Sequence, residues 1–358
     1  MLLTREAVQH AAYGGAFLGA GGGGSMQKGI ATGEMALDVG EPRLVTLADL
    51  KPDDLIVTVS MVGAPAAKEQ YVKPNDFAAV VRMLNDRLGG RIAGMISSEN
   101  GGYATLNGWF QSAVTGIPVV DAACNGRAHP TGVMGSMGLD TRSDYWSVMA
   151  MCGGNPARNM KVQMVVEGSL GATDRLIRQA AVEAGGMVAV ARNPVTADYV
   201  RQNGAPGAVS QALELGAIIQ ANRSRGGQGV AEALASHLGG RILAAGEVKN
   251  YDLQTTGGFD VGRLTVGEID LTFWNEFMTA DRAGERLSTF PDLISALDAE
   301  TGLPVTTAEI ETGRRVVMVA VPKGRMILGA GVRRPEQMKP VEAILGVEMA
   351  RYYDEGVE

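Results

Sequence analysis

The sequence predicts an α/β protein of two domains: an N-terminal, mostly parallel α/β domain over 1–165 and a β-rich domain carrying helices over 166–358. Three observations carry this. In the first third, short apolar runs alternate with segments of helical spacing, as strands joined by crossover helices do. From Gly240 onward the texture changes to short strands parted by Gly and Pro turns. With 358 residues, 46% hydrophobic and 20% charged, the chain is long enough for two cores and too apolar to be disordered.

The elements follow in order. Thr4 is placed to cap a first helix with Val8, Ala11 and Ala12 on its apolar side, ending at Gly14-Gly15 or running on to Gly19. Gly19-Ala20-Gly21-Gly22-Gly23-Gly24-Ser25 comes next, the densest glycine stretch in the chain. Residues 44–45 and 55–61 read as strands. Phe77, Val80, Val81 and Leu84 fall at helical spacing within 76–88. Residues 91–96 read as a strand that runs into Ser97-Ser98-Glu99-Asn100-Gly101-Gly102, 103–115 as a helix, and 117–120 as a buried strand ending in Asp121. Beyond these, 160–167 and 187–191 alternate as strands, and 172–184, 208–221 and 230–238 read as helices. In the β-rich part, 242–248, 263–272, 315–321 and 326–328 read as strands, and Phe290-Pro291-Asp292-Leu293-Ile294 as the opening of a helix, with Asp292 as its N-terminal charge.

Composition excludes several function classes. A net charge of −7 without a long basic run argues against nucleic acid as a partner. No stretch of about 18 apolar residues is present, so no membrane span is expected. Two cysteines do not make a disulfide framework, and the start has no apolar signal region, so a reducing cytoplasm is the expected setting. A Gly- and Met-rich chain of this apolarity is expected to be a homo-oligomer acting on a small molecule.

Scarce reactive groups concentrate in one place. The chain has two Cys and three His, and one of each lies in 119–132 beside Asp121, Asn125 and Arg127. In open α/β sheets ligands sit beyond the carboxyl ends of strands. Cys124 is a candidate nucleophile with His129 nearby, or a buried structural thiol. His129, held extended before Pro130, is an acid/base candidate or a polar turn residue. Arg127 suits a carboxylate or imide oxygen, or pairs with Asp121. Glu99 and Asp121, at two strand ends, are expected on one sheet edge, where they can orient water, act as general base or bind a divalent cation. No His-x-x-x-His spacing supports a metal, and the metal question stays open. The amides of Gly21, Gly22, Gly23 and Gly24 can form a nest for an anion, or mark a flexible helix end. The loop is not a P-loop and follows no clear strand, so neither nicotinamide nor flavin is expected. Glu276, after Asn275, either faces the cleft between domains or is a surface acid. Cys152 reads as structural.

Taken together, Gly19-Ala20-Gly21-Gly22-Gly23-Gly24, Val62-Gly63-Ala64-Pro65, Ser98-Glu99-Asn100-Gly101-Gly102 and Pro118-Val119-Val120-Asp121 with Gly126-Arg127-Ala128 resemble the S-methyl thiohydantoin desulfurase family of hydantoinase-associated proteins. Gly246-Glu247-Val248, Thr256-Gly257-Gly258-Phe259, Gly262-Arg263, Asn275-Glu276, Pro291-Asp292-Leu293-Ile294 and the turn from Gly302 to Thr307 continue the resemblance in the same order. It covers nearly the whole chain, and its specificity lies in the joint order of the motifs. It implies the two-part α/β and β architecture and hydrolysis at a ring carbon between two nitrogens, with water replacing a thiol. The chain departs from the family's pattern at Ala123, Cys124 and Asn125, where Asp, Gly and Met are common, and at His129 and Thr131, where Phe and Glu are.

The expected function is therefore hydrolysis at a ring carbon of a small cyclic imide or thiohydantoin-like substrate. Glu99 or Asp121 would activate water, or Cys124 would attack directly. His129 would protonate the leaving group, and the Gly21–Gly24 amides and Arg127 would hold negative charge. The alternative is a non-catalytic ligand-binding or accessory subunit of hydantoin metabolism; a lyase or isomerase using the same groups stands third. Each reading requires the glycine tetrad and the 124–129 stretch to line a common cavity.

Overall fold

Thr4 Oγ1 accepts from the Ala7 N–H at 3.2 Å and starts α1 (Arg5–Leu18), which ends at Gly19. The computed structural model describes residues 1–63, 67–256 and 259–355, so Ala64, Pro65, Gly257 and Gly258 of the motifs above lie outside the described residues. α2 (Met26–Val39), α3 (Pro74–Arg87) and α4 (Trp109–Thr115) follow. α4 is shorter than the 103–115 helix expected, because Gly108 at φ +96° parts it from a 3-10 turn at Ala104–Leu106.

The first sheet is built from β1 (Leu44–Val45), β2 (Leu55–Gly63), β3 (Ile92–Glu99), β4 (Val119–Asn125), β5 (Ser147–Gly153), β6 (Val162–Gly168), β7 (Met187–Thr196) and β8 (Ala205–Pro206). Their order is β1-β4-β3-β2-β7-β5-β6, with β8 pairing β4. β1 to β4 pair in parallel, and every pairing that involves β5 to β8 is antiparallel. The sheet is thus mixed, and it draws β7 and β8 from beyond residue 165. Strands buried on both faces explain the near-continuous apolar runs that made β2 and β3 legible.

α5 (Leu170–Glu183) and α6 (Ala197–Asn203) flank this sheet, and α7 (Ala208–Asn222) and α8 (Gly226–Leu238) lead to the second. α1 and α7 pack at backbone contact: a Cβ on Gly14 would stand 1.9 Å from the Ala212 carbonyl, and one on Gly216 1.9 Å from the His10 carbonyl. Glycine at both positions is a condition of that approach.

The second sheet is antiparallel throughout: β9 (Arg241–Thr256), β10 (Phe259–Val266), β11 (Ile269–Trp274), β12 (Glu276–Arg282), β13 (Glu285–Thr289), β14 (Leu293–Asp298), β15 (Pro304–Val305) and β16 (Arg315–Val321), in the order β13-β12-β11-β10-β9-β16-β14-β15. The α/β part and the β-rich part with helices are both present as the sequence predicts. A core that includes Phe17, Leu215, Leu234, Phe290 and Val319 joins α1, α7 and α8 to this second sheet.

Three local expectations change. Residues 290–292 form a turn and Leu293-Ile294 begin β14, not a helix. Leu293 and Leu297 enter one core and Ile294 and Ala296 another, a period of two that feeds both faces of a strand. Residues 326–328 form no strand; the Ile327 carbonyl instead accepts a single bond from Gly126 N at 3.0 Å. β4 continues past Asp121 to Asn125, because Ala122, Ala123 and Cys124 are small and buried, β8 pairs Ala122 and Ala123, and β3 pairs Ala123 and Asn125. Among the described residues no helix is long and apolar enough to cross a membrane.

Candidate active site

The extension of β4 decides which groups meet. In the β3–β4 register, Glu99 stands opposite Asn125, not Asp121. Two buried amides then fix the turn that follows. Asn125 accepts from Gly329 N at 3.1 Å and donates to the Arg127 carbonyl at 2.7 Å. Asn100 donates to the carbonyls of Gly126 at 3.1 Å and Ala208 at 2.9 Å, and accepts from Thr105 Oγ1 at 3.0 Å. With its backbone groups satisfied in this way, the turn can run through the interior.

Arg127 is fully buried on this turn. Its Nε donates to the Ala128 carbonyl at 3.0 Å, Nη1 donates to the Asp292 carbonyl, and the guanidinium lies 4.5 Å from the Phe290 ring centroid. Nη2 has no hydrogen-bond partner among the described residues. Burial pushes the guanidinium pKa down to about 10, and the carboxylates of Glu276, Asp292 and Glu99 oppose that fall. Asp292 thus acts from the second sheet through its carbonyl, while its carboxylate accepts from Ser288 Oγ and Lys323 N.

Glu276 begins β12, directly after Asn275 at φ +56°. It is 2% exposed, and Oε2 has no hydrogen-bond partner among the described residues. Its Oε1 lies against Gly22, where a Cβ would come within 2.0 Å. Burial raises its pKa well above the usual carboxylate value, the nearby Glu99 adds to the rise, and Arg127 opposes it. Glu276 therefore faces the junction between the domains with its proton held more tightly than an ordinary carboxyl holds it.

Glu99 and His129 form the next layer. The His129 N–H donates to Glu99 Oε2 at 3.1 Å, and His129 Nε2 lies 3.4 Å from the same oxygen. Burial pushes the Glu99 pKa up to about 7, against the pull of the His129 N–H and of Arg192 and Arg127. Burial also pushes His129 down to about 4. Near neutral pH the pair is therefore a half-ionised carboxyl beside a neutral imidazole. The imidazole packs against Gly135, where a Cβ would come 2.7 Å from Nε2.

The glycine loop meets this cluster through its shape. Gly21, Gly23 and Gly24 have φ of +94°, +71° and +82°, conformations that side chains disfavour. The loop's carbonyls stitch it to both domains: Ala20 accepts from Phe277 N, Gly21 from Thr307 N, and Gly23 from Tyr103 N and Ala104 N. Gly22 supports Glu276, while Gly23 packs on Gly101 beside Asn100.

Gly22, Glu276, Glu99, Arg127 and His129 are thus brought together, with Asn125 holding the turn. The tetrad and the 124–129 stretch meet through side chains, not across an open hollow, since Arg127 is 0% and Glu276 2% exposed. The Glu99 side chain, 17% exposed, and half-buried Gly23, Thr131 and Gly132 lie nearest solvent.

Cys124 and Asp121 do not join the cluster. Cys124 is sealed among Ile56, Ile96 and Met137 with its thiol 3.2 Å from Thr58 Oγ1, and burial pushes that thiol up to about 11. Thiolate is the nucleophile, and it is scarce there. The Asp121 carboxylate accepts from Ser210 N at 2.9 Å and Ser210 Oγ at 2.6 Å, where it anchors the first turn of α7. Cys152, also buried, donates to Asp76 Oδ1 at 3.3 Å. Among the described residues no group of three or more His, Cys, Asp and Glu is arranged to hold a metal ion.

Arg192, on β7, escaped the sequence reading. It is 6% exposed, its Nη1 lies 3.7 Å from Asp174 Oδ1, and its Nε has no hydrogen-bond partner among the described residues. Its charge acts on Glu99, His129 and Cys124. Asp174 also accepts from Arg178 Nε at 3.2 Å, and Arg178 reaches to 5.5 Å from the Phe259 ring of the second sheet. A charged residue closing the run Met187-Val188-Ala189-Val190-Ala191 was the available signal.

Comparison with known proteins agrees with this architecture. A solved protein from Chromobacterium violaceum superposes with a TM-score of 0.71 at 20% identity, covering 97% of this chain and 96% of that one. At that identity the likeness is one of fold. No curated protein matches the chain. The model of the S-Me-THD-like N-terminal domain matches residues 6–161, and that of the S-Me-THD-like C-terminal domain matches 169–328. With both domain models matched in series over most of its length, the chain belongs to the S-Me-THD-like family.

Proposed function

We propose that this chain hydrolyses a ring carbon flanked by nitrogen in a small cyclic imide or thiohydantoin-like molecule, with Glu99 as general base and Glu276 as general acid. One observation carries the reading: two desolvated carboxyls with unequal proton affinity share the field of one buried guanidinium. Pairs of titratable groups pushed apart by their surroundings divide acid and base roles. Glu99, near 7, accepts a proton from water, and His129 orients it through their shared contact. The oxygen of the water bonds to the ring carbon, and the electron pair displaced from the ring's double bond is held near Arg127 Nη2, which has an N–H to give. The pair then returns to the ring carbon as the C–S or C–N bond breaks, the departing thiolate or ring nitrogen takes the proton of Glu276, and the proton gained by Glu99 passes back to Glu276 before the next turnover. The neutral His129 implied by its low pKa makes Glu276 the better acid.

The test is a panel of hydantoins and S-methyl thiohydantoins incubated with the purified protein and assayed for ring-carbon hydrolysis. Turnover that Glu99→Gln abolishes supports the reading; no turnover across the panel removes it. The second reading is a ligand-binding accessory subunit; in either case the molecule must open the closed cluster to reach Glu276. Tight binding of a hydantoin without turnover selects that reading.

A further inference from the structure

A strand at the rim of a sheet carries an unused row of backbone N–H and C=O groups, and proteins blunt such rims with bulges, proline, lysine or very short strands. β6 carries none of these devices. It reads Val162-Gln163-Met164-Val165-Val166-Glu167-Gly168 and ends the first sheet. Its residues pair one to one with β5, from Val162 opposite Gly153 to Gly168 opposite Ser147, without a register shift. Among the described residues β5 is the only strand it pairs with, so its outer row has no strand beside it. The strands at the other rims are shorter, two residues in β1 and β15 and five in β13.

Both faces of this rim are apolar where a neighbouring strand would lie. Val162, Met164 and Val166 turn one way and are half-buried under α5. Val165 turns the other way and is 37% exposed. α5 adds a further apolar group. Its Asp174 pairs with Arg178 and reaches Arg192 on β7, so that flank of the helix faces away from the rim. Leu176 lies two residues from each of Asp174 and Arg178, about 200° round the helix, and therefore on the flank toward β6. It is 47% exposed. Trp146, 63% exposed, precedes Ser147 at the Gly168 end of the rim.

The residue order selects the partner. Turned end for end about Val165, the strand nearly reads as itself. Val165 then meets Val165, Met164 meets Val166, Val162 meets Gly168, and Gln163 meets Glu167, as an antiparallel neighbour requires. An amide that can donate stands opposite a carboxylate that accepts, and the two-fold axis makes this pair twice. Glu167 is the one charged residue of the strand and is already paired with Arg87, so no bare like charges oppose each other within it. An axis through Val165, normal to the sheet, sets α5 of one copy beside α5 of the other and brings the two Leu176 side chains to one side of the seam.

We infer that two copies of this chain join through β6, antiparallel and centred on Val165, into a homodimer in which the two first sheets become one continuous sheet. The backbone ladder holds the copies together, Val165 and Leu176 are covered on opposite faces of the seam, and the Gln163–Glu167 pairs fix its register.

Sedimentation velocity of the full chain between about 1 and 100 μM tests it, and a dimer is expected in that range. Gln163→Glu sets carboxylate against carboxylate at both ends of the seam and should weaken the dimer about tenfold, whereas Gln163→Lys sets opposite charges there and should tighten it. Val165→Lys puts two ammonium groups on the axis and should leave monomers. In Val165→Cys the new thiols face each other across the axis with Cα atoms about 4.5–5.5 Å apart, within disulfide reach, while Cys124 and Cys152 are buried. Mild oxidation should therefore link the copies of Val165→Cys and not those of Val39→Cys, placed at an exposed position on α2. A monomer at about 100 μM overturns the inference. So does a dimer that Gln163→Glu and Gln163→Lys change in the same direction, a dimer that survives Val165→Lys, or oxidation that links Val165→Cys no more than Val39→Cys.

Discussion

Glu99 and His129 meet at one oxygen: Oε2 of Glu99 accepts the backbone N–H of His129 at 3.1 Å and stands 3.4 Å from His129 Nε2 without a hydrogen bond to it. A carboxyl held in this way cannot swing away from the imidazole without losing its backbone bond. The same burial moves the two groups in opposite directions, Glu99 up to about 7 and His129 down to about 4.

The rate should follow the Glu99 proton. A general base must be ionised, so turnover should rise with pH and level off above about 7. Glu99→Gln should lower turnover roughly a hundredfold to ten-thousandfold while leaving the fold intact. A rate profile flat across pH 6–8, or a Glu99→Gln enzyme of normal rate, removes Glu99 from the base role.

Stability should carry the opposite signature for each residue. Glu99 is raised from 4.5 to about 7, so the native state keeps a proton that the unfolded chain releases. Its contribution is fully present below about 4.5 and is lost as pH rises toward 7. His129 is lowered from 6.5 to about 4, so its contribution is present above 6.5 and is lost as pH falls toward 4. Each swing is on the order of 3 kcal/mol. Urea unfolding at several pH values checks both. The advantage of wild type over His129→Asn should shrink from pH 6.5 to 4, and that over Glu99→Gln should shrink from 4.5 to 7. Differences independent of pH would contradict the burial of both groups.

How much of this was legible follows from the physics of each element. The strands β2 and β3 announced themselves because burial on both faces demands continuous apolar residues. Glu99 was found because it ends such a run. The end of β4 was misplaced because Ala122, Ala123 and Cys124 are small enough for either a strand interior or a turn, and only pairing with β3 and β8 settles it. That four-residue difference took Asp121 out of the site and set Asn125, already a candidate, opposite Glu99. The glycine tetrad was visible as a special loop, but its service to Glu276 depends on a contact between residues more than 250 positions apart, which no local pattern encodes. Arg192 was hidden for a related reason, since its partner Asp174 lies on a different element.

Cys124→Ala should retain turnover within about threefold, because a thiol at about 11 in an apolar cluster supplies little thiolate at neutral pH. The loss of a small buried group should cost about 1 kcal/mol of stability. Intact-protein mass spectrometry with a slow substrate should show no adduct. A covalent adduct on Cys124, or loss of turnover in a folded Cys124→Ala variant, would restore the nucleophilic role.

Gly22→Ala should act through Glu276. The new methyl would stand 2.0 Å from Oε1 and 2.6 Å from Cδ, so the carboxyl must move. Overpacking of this kind costs about 1–3 kcal/mol and should lower turnover with it. A double-mutant cycle with Glu276→Ala checks the contact, because removing the carboxyl should relieve most of the Gly22→Ala destabilisation. Strict additivity of the two stability changes would mean that the methyl disturbs something other than Glu276.

Arg127 separates charge from geometry. Its neighbour Glu276 already holds its proton more tightly than an ordinary carboxyl, so deleting the guanidinium uncovers less charge than breaking an ordinary buried ion pair. Arg127→Met should therefore cost less than the roughly 3–5 kcal/mol typical of a broken buried ion pair. What is lost is the pair of bonds to the Ala128 and Asp292 carbonyls, with part of the packing on Phe290. Turnover should still fall by roughly a hundredfold or more, because the donor facing the developing anion has gone. The charge of Arg127 also holds Glu99 down, so the rise of kcat/KM with pH should move above 7 in Arg127→Met and less so in Arg127→Lys, which keeps the charge without the fork. Parallel pH–rate profiles of the two variants make the comparison. If both shift equally, or neither does, Arg127 does not set the proton affinity of Glu99, and its place beside the reacting carbon falls with that.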